Sequence, residues 1–84
     1  MTELRADQPK WRQVANILRK RIESGEYKRG VPLPSETAIM QEFGIARGTA
    51  RKVVASLRDE GLIYTVPQIG SFVGPPPEPE DAPA

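Results

Sequence analysis

The 84-residue sequence predicts a mainly α fold with a small β-hairpin, three helices followed by two short strands. Three observations point there. Apolar residues recur at steps of three and four over residues 9–24 and again over 47–60, the period of a helix with one buried stripe. A shorter apolar-patterned stretch, 35–43, is separated from the second of these by a single glycine, Gly44. After Gly61 the pattern turns to β-branched and aromatic residues, "LIYTV" and "SFV", around a turn-forming "PQIG", which reads as a short antiparallel hairpin.

The first helix spans 9–24, with Trp11, Val14, Ile17, Leu18 and Ile22 forming the stripe. Pro9 is tolerated in a first turn, and Gly25 is a natural stop. Arg12, Arg19, Lys20 and Glu23 lie off the stripe, where a solvated face is expected. "GEYKRGVPLP" is a turn-rich connector; Val31 and Leu33 suit a very short strand, limited to an edge by Pro32. Tyr27 is expected to close this connector onto the core.

Ser35 then caps a second helix, because its hydroxyl can accept from free backbone N–H groups two or three residues on. Glu36 follows in the first turn, where the helix dipole favours an anion. Ala38, Ile39 and Phe43 are its expected inward face, with Met40 beside them. Gly44 ends it in a left-handed conformation, a common helix stop, and Ile45 anchors the turn. The third helix, 47–60, turns Ala50, Val53, Val54 and Leu57 inward. The order is that of a winged helix-turn-helix: three helices plus a two-stranded wing.

Composition bounds what such a domain can do. There is no cysteine and no histidine, which removes disulfides, thiolate metal sites, the commonest general base and the commonest metal ligand. A domain this small buries only about 60% of its unfolded surface, leaving little room for a substrate cavity. Glu23, Glu26, Glu36, Glu42, Asp59 and Glu60 are scattered or cap helices, with no nucleophile beside a base. No enzyme, cofactor or metal site is expected, and no ligand pocket is identifiable. No apolar run nears the roughly 20 residues that cross a bilayer, and "MTELRADQPKW" lacks the apolar core of a signal peptide, so a cytoplasmic protein is expected.

Charge is unevenly placed. Residues 9–74 hold eleven Lys+Arg against six Asp+Glu, a balance of +5, while the last ten residues carry −3. A basic body suits a polyanionic partner. The tail, 75–84, has five prolines, three acids and no large apolar residue; it is expected to be disordered or a linker, and residues 1–8 are expected to be flexible.

The chemistry concentrates at the start of the third helix. With its apolar stripe pinned inward, a step of 100° per residue puts Gly48, Arg51, Lys52 and Ala55 on the outer face, with Arg47 and Arg58 along its border. Arg47 and Arg51, four apart, reach out on the same side. A helix reads DNA when its N-terminal residues meet base edges in the major groove and the preceding helix braces it. Ordinary solvated cations would look similar, but Gly48 costs roughly 1 kcal/mol against alanine in a helix, a cost that close approach to a DNA backbone would justify. Thr49 adds a hydroxyl suited to a phosphate or a base edge. Trp11 fits core or staple better than a base-stacking platform. Gln68, at the hairpin tip, either enters the minor groove or simply occupies a turn.

Here the sequence resembles a known family. "PKWRQVANILRKRIESGEY", "LPSE", "EFGIARGTARKVVASLRDEGLI" and "GSFV", in that order over residues 9–73, are similar to the N-terminal DNA-binding domain of GntR-family bacterial transcription regulators. The resemblance implies base and phosphate contacts by Arg47, Thr49 and Arg51, and makes Ser35 and Glu36 the start of the bracing helix. Thr37 stands where many members have an arginine that contacts DNA. Ala46 replaces the usual Ser/Thr cap, Met40 replaces a small residue between the helices, and Gln68 takes the place of a wing-tip glycine. "TVPQIG" also lacks the basic residues common in that wing, leaving more of the binding to the third helix.

The expected DNA-binding residues are therefore Ser35, Thr37, Arg47, Gly48, Thr49, Arg51, Lys52 and Gln68. The expected partner is double-stranded DNA, with a two-fold operator and a homodimer at least on DNA; family members usually continue into an effector-binding domain. The activity implied is transcription regulation, most often repression. The alternative is a winged-helix protein-interaction module without sequence-specific DNA binding.

Overall fold

The computed structural model describes residues 4–75; the tail from 76 onward lies outside the described residues. Three helices, α1 (Lys10–Glu23), α2 (Glu36–Phe43) and α3 (Arg47–Asp59), precede strands β1 (Ile63–Val66) and β2 (Gly70–Val73). The strands form one antiparallel pair in the register Ile63–Val73, Tyr64–Phe72, Thr65–Ser71 and Val66–Gly70. This is the winged helix-turn-helix order.

Each helix buries one stripe. Val14 and Leu18 of α1, Ile39 and Phe43 of α2, and Ala50, Val53, Val54 and Leu57 of α3 meet with Ile45, Leu33, Ile63 and Val73 in a single core. Trp11, Ile17 and Ile22 pack on it from the edge, as does Tyr27. Two positions depart from the sequence reading. Ala38, expected inward, is exposed: α2 has only eight residues, and Ile39 and Phe43, four apart, already define its buried line, one step around from Ala38. Ala15, off the expected stripe, is buried at 1% exposure and belongs to the same core as Val14 and Leu18.

Both ends of α2 have the expected geometry. Ser35 Oγ accepts from the Ala38 N–H at 3.1 Å, and Gly44 adopts φ 65°, ψ 40°, a left-handed conformation that costs other residues roughly 1–2 kcal/mol. Its N–H and that of Ile45 both donate to the Met40 carbonyl, closing the end of α2. Ala46 occupies the N-cap of α3 with no side-chain hydrogen bond, as an alanine must.

The connector pairs with the hairpin through an isolated bridge, Pro32 with Phe72, rather than a strand. Leu33 N–H donates to the Ser71 carbonyl and Val73 N–H to the Val31 carbonyl, each at 2.9 Å. Pro32 has no N–H to extend the ladder. Of the opening segment expected to be flexible, residues 4–8 meet α1: Leu4 packs against the core, and the Gln13 side chain accepts from the Arg5 N–H and donates to the Arg5 carbonyl.

Candidate nucleic-acid interface

The interface is built from the first turns of α3 outward. Ala50, Val53 and Leu57 have no exposed surface, so the rotation of α3 about its axis is set by packing. Gly48, Arg51 and Lys52 then face solvent, and Arg47 sits beside them. Arg47 and Arg51 retain 54% and 67% side-chain exposure, so both guanidiniums remain in contact with solvent. Thr49 is half-buried. A Cβ added at Gly48 would meet nothing within 4 Å, so no protein contact requires glycine there.

Glu36 joins the two arginines. Its Oε1 lies 3.6 Å from Arg47 Nη1 and 3.6 Å from Arg51 Nε. The carboxylate at the start of α2 thus stands between the two cations and keeps their forks on one side of α3. From the sequence, Glu36 has a helix-dipole role and a place at the start of the bracing helix; its link to α3 depends on the angle set at Gly44, which no one-dimensional pattern reveals.

The hairpin supplies a second wall. Ser35, Thr37, Val54, Thr65, Ile69 and Ser71 are among the residues lining a groove of about 690 Å³ between the start of α2 and the wing. Arg58 Nη1 donates to Thr65 Oγ1 at 2.9 Å, so Arg58 braces the wing against α3 rather than bordering a free face. Gln68 sits at the exposed tip with φ 67°, and its backbone takes the conformation for which a glycine is the ordinary choice. Ile69 beside it is 71% exposed.

The remaining cations divide by partner. Arg19 holds Glu60, with Nη2 to Oε2 at 2.5 Å, and also bonds Asn16; Arg21 holds Glu42. These hydrogen bonds lower both carboxyl pKa values and raise those of the arginines. Arg21 ties α1 to α2 and Arg19 ties it to Glu60 at the C-cap of α3, so both arginines serve the scaffold. Among the described residues, no group of three or more acidic, histidine or cysteine side chains could hold a metal, and no helix is long and apolar enough to cross a membrane.

Residues 10–73 match the bacterial regulatory proteins of the gntR family. The chain belongs to this family. It is 38% identical over 68 residues to the HTH-type transcriptional repressor NagR of Bacillus subtilis (strain 168), covering 81% of this chain and 28% of NagR. Over 65 residues it is 35% identical to the mannosyl-D-glycerate transport/metabolism system repressor MngR of Escherichia coli (strain K12), covering 77% of this chain and 27% of that protein. The chain therefore spans less than a third of the curated GntR relatives it matches. Among solved structures, it superposes on AraR(DBD) in complex with operator ORR3 with a TM-score of 0.76 at 34% identity, covering 88% of this chain and 87% of that one.

Proposed function

We propose that this GntR-family chain binds double-stranded DNA sequence-specifically and regulates transcription as a repressor, with α3 in the major groove. One observation carries the reading: packing of Ala50, Val53 and Leu57 at no exposure turns Arg47, Gly48, Arg51 and Lys52 outward together. Arginine forks suit the paired acceptors of guanine, and a threonine hydroxyl suits a phosphate or a base edge. In this reading Arg47, Thr49 and Arg51 meet bases and phosphates, with Gly48 allowing the backbone close. Ser35 and Thr37 meet the sugar-phosphate backbone at the start of α2, and Gln68 reaches the minor groove from the wing tip. The repressor names of NagR and MngR and the operator bound to AraR(DBD) support it. Two copies on a two-fold operator would read half-sites roughly 34 Å apart or a multiple of that, in the cytoplasm of a bacterium.

Selection of duplexes from a random pool tests this directly. An enriched motif is expected, bound more tightly than random duplex, with affinity falling steeply as salt rises because phosphate contacts release counterions. Recovery of no motif, with weak and salt-insensitive binding, would favour a protein partner instead.

A further inference from the structure

Trp11 lies at core spacing in the sequence, yet its ring is only half-buried, and cations from two helices approach it. Lys52 Nζ of α3 stands 4.7 Å from the ring centroid, and the Arg12 guanidinium of α1 stands 5.6 Å from it. An indole face attracts such cations through its quadrupole. It supplies no negative charge, however, so Arg12 and Lys52 still repel each other. Arg19, Arg21, Arg47 and Arg51 each have a carboxylate within salt-bridge distance. Among the described residues, Arg12 and Lys52 have none, nor do Lys10, Lys20, Lys28, Arg29 and Arg58; of these, Arg12 and Lys52 are the two that share an aromatic ring. The hairpin, meanwhile, contributes no lysine or arginine between residues 61 and 74. Charge for a DNA backbone must come from the helices or from Lys28 and Arg29 of the connector.

We propose that Trp11, Arg12 and Lys52 form a phosphate-binding site at the α1–α3 seam, resting on the DNA-binding reading above. Lys52 lies on the outer face of α3, next to the first turns that would enter the groove. Trp11 acts as a positioning residue: its ring takes one side of the Lys52 ammonium and leaves the remaining N–H donors free for a phosphate oxygen. Arg12 adds a second donor from α1 at the same ring, and the negative charge of a phosphate bound at this seam offsets the repulsion of the two cations. The contact carries no sequence information, because a phosphate is the same at every step of the duplex.

The test titrates Lys52→Gln, Arg12→Gln, Trp11→Phe and Trp11→Leu against a selected duplex and a random duplex of equal length, from 50 to 200 mM salt. Lys52→Gln and Arg12→Gln should each flatten the slope of log affinity against log salt by about 0.9 and weaken both duplexes by the same factor. Trp11→Leu should weaken binding in the natural background and have little further effect beside Lys52→Gln, while Trp11→Phe keeps a ring and retains most of the affinity. Thermal midpoints separate any loss of folding in the Trp11 variants, and the two exposed cation variants carry the test without them. Unchanged slopes in both, or losses confined to the selected duplex, overturn the phosphate site while leaving DNA binding intact. A natural chain that binds neither duplex overturns both.

Discussion

Arg21 of α1 grips Glu42 of α2 fork to fork, with Nη2 2.5 Å from Oε2 and Nη1 3.1 Å from Oε1. Arg21 also donates to the Tyr27 hydroxyl at 2.8 Å and lies over the Phe43 ring. One side chain thereby fastens the first helix to the bracing helix and to the connector. The arrangement sets the platform on which α3 is presented.

That pair makes stability depend on acid. The hydrogen bond from Arg21 holds the Glu42 carboxyl below its ordinary value of 4.5, and the one from Arg19 does the same for Glu60. A carboxyl whose folded pKa is depressed contributes stability above its unfolded pKa and loses it as pH falls through the folded one. Urea unfolding should therefore show a plateau from neutrality to about pH 5 and a decline below it. Glu42→Gln should cost about 1 kcal/mol at pH 7, since the pair is partly exposed and screened. The difference between the two proteins should shrink at pH 3; a constant difference would mean that the pair contributes through packing rather than charge.

The two outward arginines separate binding from folding. Arg47→Ala and Arg51→Ala should each lower affinity for the selected duplex by about 1–3 kcal/mol. Their 3.6 Å contacts with Glu36 are long and their side chains more than half exposed, so stability should move by no more than about 0.5 kcal/mol. Fluorescence anisotropy and thermal melts check the two halves. Equal losses on random duplex would reassign an arginine from bases to phosphates, and no loss on either would remove it from the interface.

Gly48→Ala should move stability and binding in opposite directions. Nothing lies within 4 Å of a Cβ built there, so alanine should stabilise α3 by about 0.5 kcal/mol, part of its usual advantage over glycine. If the glycine allows a DNA strand close to the helix, the same methyl should weaken the selected duplex at least several-fold. A more stable variant that binds as well as the natural chain would show that the glycine is not there for DNA.

Much of this was legible in the chain. The stripe Ala50, Val53, Val54 and Leu57 determines which face of α3 is buried, and hence that Arg51 and Lys52 point out, because helical periodicity is local. Ser35 and Gly44 are equally local: the one caps α2 with its own hydroxyl, the other takes a backbone conformation that glycine favours. Gln68 shows where local preference yields, since it takes a left-handed φ in the place of a glycine.

What tertiary structure alone decided are the meetings between elements: Glu36 with Arg47 and Arg51, Arg21 with Glu42, Arg58 with Thr65, and Lys52 with Trp11. All but the Arg58 contact, which crosses from helix to strand, join residues at least eleven positions apart. Such contacts depend on interhelical angles and side-chain reach, quantities that emerge only when several buried stripes pack together. The sequence by itself determined which cations are outward; packing decided which of them are spoken for.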